Sequence, residues 1–375
     1  MRLLLNCCVA ASILIPGLPG SANAQALPRS AGATSTSVAW PFGASTADAA
    51  SERLVVEGRF PKMTGGTEWI NSPPLTPEGL RGKVVLVNVW TYSCINSLRP
   101  LPFVRAWAEK YRNAGLVTIG VHSPEFSFEK VPANVQRAVA DMHIAYPVVL
   151  DNDFAIWHAF GNQYWPAFYF IDAQGRIRHH QFGEEQYAQS ERVLQQLLAE
   201  AGARNIPTGL VTAAGVGIEA PPAAVAARSE ETYLGYGQAT SLVSPDRVTH
   251  DRARLYRGAV PARIDEWSLA GAWSVERERV VVAEPGGRIA YRFHARDLHL
   301  VLGTTDAGKP VRFRVSVDGK PPLSDHGWDT DAQGNGTIAG HRLYQLVRQA
   351  ENSRDRLFEI EFLDVGAQAY VFTFG

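Results

Sequence analysis

The chain has 375 residues, 36 basic against 37 acidic side chains, a formal net charge of −1, and is 46% hydrophobic and 10% aromatic. The length suits two ordinary domains. The balanced charge excludes an electrostatic pull toward nucleic acid or an acidic polymer, and the apolar content excludes a disordered chain.

Met1-Arg2, the mostly apolar Leu3 to Leu18 and the small residues of Ser21-Ala22-Asn23-Ala24 read as a secretory signal peptide (1–24) cleaved after Ala24. The apolar run is short and broken by Asn6, Pro16 and Pro19, so it is not a membrane span, and no later stretch is long enough. The expected location is periplasmic or secreted. Cys7 and Cys8 depart with the signal, because Asn6 stands where a lipid-modified cysteine needs a small residue. Cys94 is then the sole cysteine of the mature chain, and no internal disulfide can form.

Residues 25–53, rich in Ala, Ser, Thr and Gly, read as a flexible leader. A folded domain is expected over 54–203. Val84 to Trp90 is a continuous apolar run, as for a strand buried on both faces. Leu98 to Tyr111 has helical spacing, with Pro100 and Pro102 near its start and a kink expected at Pro102. Leu116 to Val121 reads as a second buried strand, Ala133 to Met142 as a helix, Tyr146 to Leu150 as a strand and Ala155 to Phe160 as a short helix. Ala167 to Ile171 and Ile177 to Phe182 are strands joined by the turn Asp172-Ala173-Gln174-Gly175, and Ser190 to Ala201 is a closing helix. This order implies an α/β sandwich with a mixed sheet. Residues 204–230, rich in Gly, Ala and Pro, read as a linker. From 231 to 375 short alternating runs dominate, such as Val311 to Val317 and Leu357 to Phe362, and predict an all-β jelly-roll-like sandwich.

Cys94 follows the first buried strand and precedes a helix, where free N–H groups and the helix dipole favour a thiolate. The segment Val87 to Arg99, with Trp90-Thr91-Tyr92-Ser93-Cys94-Ile95-Asn96-Ser97 at its centre, resembles the thioredoxin superfamily, in particular the TlpA-like branch and the C-terminal part of DipZ-type proteins. Gly120 to Phe126, Asn162 to Pro166, Tyr169 to Asp172 and, after the linker, Glu231 to Tyr236 fit the same family. The resemblance implies that Pro166 is a cis-proline facing Cys94, and that Trp90, Thr91, Tyr92 and Trp165 form a client groove.

The family pattern is Cys-x-x-Cys, and Ser97 replaces the second cysteine here. A serine can hydrogen-bond a thiolate but cannot resolve a mixed disulfide. Asn88 stands where thioredoxins carry a buried carboxylate, which leaves His122, Glu125 or water to move protons.

The leading reading is therefore a monothiol thiol–disulfide oxidoreductase. Cys94 is the nucleophile, Ser97 and Pro166 complete the site, client thiols or disulfides are the substrates, and an external thiol supplies release. One alternative is a one-cysteine peroxidase, since Thr91-Tyr92-Ser93-Cys94 spells the Thr-x-x-Cys of peroxiredoxins. Another is a redox-inactive binding module. No cofactor or metal is expected. The stretch 329–340 begins like a calcium loop but has Gly340 where a bidentate Glu belongs, and His179 and His180 point to opposite faces of a strand. Trp267, Trp273 and Trp328 are either core or sugar-stacking residues.

Overall fold

The computed structural model describes residues 54–224, 227–306, 308–349 and 354–375. The expected signal peptide, the leader, Cys7 and Cys8 lie outside them. The N-terminal region contains β1 (Gly58–Arg59), β2 (Glu68–Ile70), β3 (Val84–Trp90), α1 (Ile95–Leu98), α2 (Leu101–Tyr111), β4 (Leu116–His122), α3 (Pro132–Asp141), β5 (Val148–Leu150), α4 (Ala155–Ala159), β6 (Ala167–Ile171), β7 (Arg176–Phe182) and α5 (Tyr187–Glu200).

Its seven strands form one mixed sheet in the order β1-β7-β6-β3-β4-β5-β2. β3 sits in the middle, parallel to β4 and antiparallel to β6, and all seven of its residues are buried. That burial explains its apolar run, which only Asn88 interrupts. Alternate residues feed two cores. Val84, Leu86 and Trp90 point to the side of α2 and α5, and Val85, Val87 and Val89 to the side of α4.

The predicted single helix from Leu98 is two pieces. Arg99 and Pro100 separate α1 from α2, and the break falls at Pro100 rather than at Pro102. Pro102 sits in the first turn of α2, where a missing N–H costs no hydrogen bond.

The C-terminal region is all β: β8 (Thr232–Tyr233), β9 (Ala253–Arg257), β10 (Trp267–Val275), β11 (Val280–Val282), β12 (Gly287–His294), β13 (Asp297–Thr304), β14 (Val311–Val317), β15 (Asn335–Ile338), β16 (Arg342–Arg348), β17 (Asp355–Phe362) and β18 (Ala367–Phe374). All the ladders are antiparallel, in the order β15-β14-β17-β12-β10-β11-β18-β13-β16, with β8 on β18 and β9 on β10. The sheet curls onto itself. Phe358 of β17 and Phe372 of β18 are far apart in that order, yet their rings meet edge to face at 6.0 Å inside one core. Trp267 and Trp273 are fully buried in this core, whereas Trp328 is 71% exposed.

The two regions share packing. Val301, Leu343, Tyr370 and Val371 of the β region belong to the same apolar cluster as Trp90, Tyr92, Phe126 and Phe128. The stretch 204–224 lies against both. Arg105 of α2 makes a two-pronged ion pair with Glu219 at 2.7 Å per contact, and Gln345 donates to the Gly217 carbonyl at 3.3 Å.

Candidate active site

Cys94 caps α1 with an extended backbone (φ −88°, ψ 120°), and its carbonyl accepts the N–H groups of Ser97 at 3.0 Å and Leu98 at 3.2 Å. The side chain is a thiol in no disulfide, and the residue is only 2% exposed. Ser97 is fully buried, and its hydroxyl oxygen accepts the Thr91 N–H at 3.4 Å. Ser97 thus bonds back to the loop ahead of Cys94.

The Trp165–Pro166 peptide bond is cis, as the family pattern implies. Strand register brings it to the end of the sheet where the Cys94 loop leaves β3. Val89 near the end of β3 pairs with Ala167 at the start of β6, so the residue before β6 and the loop after β3 lie at the same sheet edge.

The four residues expected to wall a groove are all buried. Trp90 fills the space over Gly120, where an added Cβ would meet the Trp90 indole nitrogen at 2.9 Å. Thr91 turns its hydroxyl to Glu129. Tyr92 lies between His122, stacked with ring centroids 5.5 Å apart, and Phe128 at 6.0 Å. Trp165 packs on Trp157 with centroids 4.3 Å apart and donates to the Ser123 carbonyl. The large exposed rings at this edge are Tyr164 and Phe182, which pack together at 5.0 Å. Tyr92 also forms part of an interdomain cleft of about 490 Å³ that has Arg137 and Trp328 on its lining.

The anchor of the Cys94 loop is Glu129, which lies outside the candidate residues read from the sequence. It is fully buried in the turn after β4, and its carboxylate accepts five donors. Oε1 takes the Thr91 hydroxyl, the Ser93 hydroxyl at 2.6 Å and the Ser93 N–H at 3.3 Å. Oε2 takes the Glu125 N–H and the Phe126 N–H at 3.0 Å. Burial pushes this carboxyl above the ordinary range and the donors oppose that. The one signal for it is the pattern Phe126-Ser127-Phe128-Glu129, in which an acid three residues into a turn reaches back to its first N–H.

His122 is fully buried. Its Nε2 lies 3.5 Å from the Thr91 hydroxyl, and desolvation holds its pKa down at about 3, so the ring is neutral. Asn88 is fully buried on the opposite face of β3 from Val87 and Val89.

Cys94 acts electrostatically on three carboxyl groups: Glu125 after β4, Glu184 after β7, and Glu231, which comes from the β region. Burial raises all three above the ordinary carboxylate range. For Glu125 the next causes are Glu231 and then Cys94. Glu184 is paired with Arg99, the residue after α1, at 2.8 Å. Arg99 also reaches the Phe374 carbonyl at 3.4 Å, near the chain's last residue.

Elsewhere, Asp331 spends its carboxylate on the Gln333 and Asn335 N–H groups and the Asn335 amide, and Asp329 on Arg342 and the Gln345 N–H. His180 pairs with Glu57 across the sheet edge, at 2.7 Å. No cluster of three or more metal-type ligands occurs among the described residues.

Residues 71–198 match the redoxin family, and residues 229–375 match the family of thioredoxin-like C-terminal domains. The thiol–disulfide oxidoreductase YkuV of Bacillus subtilis is 30% identical over 141 residues, which is 38% of this chain and 95% of YkuV. The chain belongs to the thioredoxin superfamily. Protein DipZ of Mycobacterium tuberculosis is 35% identical over 332 residues, which is 85% of this chain and 43% of DipZ, so the chain spans less than half the length of that relative. A solved thioredoxin-like protein in its oxidised form is 32% identical and covers 38% of this chain and 96% of its own, with a TM-score of 0.36. No described helix is long and apolar enough to cross a membrane.

Proposed function

We propose that the protein is an exported thiol–disulfide oxidoreductase of the monothiol type, with Cys94 as its nucleophile. The observation that supports this reading is that Cys94, in the loop after the central strand, and the cis-proline Pro166, just before β6, lie at the same end of the sheet, with Ser97 in the second-cysteine position. The Cys94 thiolate attacks a client disulfide, a new sulfur–sulfur bond forms, and the client's second sulfur leaves as a thiolate. Ser97 has no sulfur to displace the client, so an external thiol completes the cycle. Its hydroxyl holds the loop through Thr91 instead. The exposed pair Tyr164 and Phe182 beside Pro166 offers an apolar landing for the client. The chain is organised as a signal peptide over 1–24, a leader over 25–53, a thioredoxin-like unit over 54–203, a connecting stretch over 204–230 and a β unit over 231–375.

The peroxidase reading is less favoured because the Thr91 hydroxyl, which would orient peroxide, donates to Glu129 inside the protein. The test is covalent trapping of the full mature chain from its own compartment without reductant. Clients joined through Cys94, absent from a Cys94→Ser control and released by dithiothreitol, support exchange. A chain recovered without adducts, or with a sulfenic acid after peroxide treatment in their place, contradicts it.

A further inference from the structure

Burial of a thiol among carboxyl groups is an unusual setting for a nucleophile, because each ionised carboxylate disfavours the thiolate. Two of these carboxyl groups are not independent. The Tyr233 hydroxyl donates to Glu125 Oε1, and Glu231 Oε2 lies 3.2 Å from the same hydroxyl oxygen. A phenol has one proton to donate. Having given it to Glu125, it offers Glu231 only lone pairs, and a carboxyl group meets a lone pair well only when it carries a proton itself. The arrangement therefore suits one proton shared by two carboxyl groups. Glu125 belongs to the thioredoxin-like region, while Tyr233 lies in β8 and Glu231 just before it. The contact exists only because the β region docks here. Phe126, next to Glu125, packs on Tyr370 at 5.2 Å, and the Ser127 N–H donates to Glu278 at 3.1 Å.

We propose that Glu231 and Tyr233 of the β region are positioning residues of the Cys94 site, which together with Glu125 hold a shared proton that governs how readily the thiol ionises. The inference rests on the reading of Cys94 as the exchanging thiol. While the proton is held, the pair presents one negative charge to the sulfur. Once it is lost the pair presents two, and the thiolate is disfavoured further. The other charged groups facing the cluster are Glu184 with its partner Arg99 toward Cys94, and Glu129 toward Glu125. The upward shift of both Glu125 and Glu231, caused first by burial, agrees with a retained proton. A β region in this role is part of the thiol site, so the thiol's behaviour depends on both units.

The test follows alkylation of the full mature chain by N-ethylmaleimide from pH 5 to 9, in the wild type and in Glu231→Gln, Glu231→Asp and Glu125→Gln. Where the pair has lost its proton it presents two charges to the sulfur and each Gln variant presents one, so the midpoint is expected to fall by about one pH unit, which is about tenfold faster labelling below the wild-type midpoint. Glu231→Asp keeps the charge and is expected to stay near the wild-type profile. Melting curves establish that each variant is folded, and Glu125→Gln carries the same test if Glu231→Gln is not. Reactive Cys94 with unmoved midpoints in the Gln variants overturns the inference and leaves the proposed function standing. A Cys94 that labels only after denaturation, at every pH, overturns the proposed function and the inference with it.

Discussion

Phe128, in the turn that carries Glu129, meets Tyr370 of β18 edge to face with ring centroids 4.8 Å apart. One ring comes from each region, and both lie in a single apolar cluster that also takes in Tyr92 of the Cys94 loop. Tyr370 is fully buried, so Tyr370→Ala leaves a void at the junction and is expected to cost about 3–5 kcal/mol. Because the core is shared, the two regions are expected to unfold in one transition. Fluorescence and circular dichroism melts that coincide for the wild type support this, and two separated transitions contradict it.

Glu129 ties five donors of the Cys94 loop and the following turn to one carboxylate. Glu129→Gln keeps the shape but presents an amide N–H₂ to groups that are themselves donors. The expected loss is about 2–4 kcal/mol in urea unfolding, since buried donors are left unsatisfied. A loss below the error of that measurement contradicts the role assigned to Glu129.

Arg99 joins three parts of the molecule: the turn after α1, Glu184 after β7, and the Phe374 carbonyl near the chain's end. Its side chain is 4% exposed and that of Glu184 16%. Arg99→Ala strands a buried carboxylate, and breaking such a pair from one side costs about 3–5 kcal/mol. Arg99→Ala combined with Glu184→Gln is expected to recover part of the loss, which a double-mutant cycle measures.

His122 is neutral because burial holds its pKa at about 3, against about 6.5 in an unfolded chain. Between those values the unfolded chain binds the proton and the folded one does not. His122 therefore contributes stability above about pH 6.5 that is lost as pH falls toward 3, at up to about 1.4 kcal/mol per pH unit. His299, buried and held at about 3 as well, adds a slope of the same sign. The stability gap between wild type and His122→Asn is expected to narrow on acidification from pH 7 to pH 5. A gap independent of pH refutes this.

The strands of the thioredoxin-like region were legible because β3, β4 and β6 are buried on both faces and their sequences are mostly apolar. The β region was legible where it alternates, as in β14 and β17, with every other residue buried. β10 escaped because Gly271, with φ +92°, and the small residues beside it break the apolar rhythm. β16 escaped because Gln345 is buried within it by hydrogen bonds rather than by apolar character. Cys94, Ser97 and Pro166 were visible as a motif. The burial of Trp90, Thr91, Tyr92 and Trp165 was not, because it depends on packing against residues from β4, the Glu129 turn and the β region. The same holds for Glu231 and Tyr233, which lie more than a hundred residues from Cys94 and reach it only through the docking of the two regions.

A monothiol site requires that Cys94 form a mixed disulfide that Ser97 cannot resolve. Incubation of the reduced mature chain with oxidised glutathione, followed by intact mass measurement, tests it directly beside a Ser97→Cys variant. One glutathione adduct per wild-type chain is expected, persisting until dithiothreitol is added. In Ser97→Cys the adduct is expected to be transient, replaced by an internal disulfide two hydrogen masses lighter than the reduced chain. A folded wild-type chain that stays unmodified, while the denatured chain is modified at Cys94, contradicts a nucleophilic Cys94.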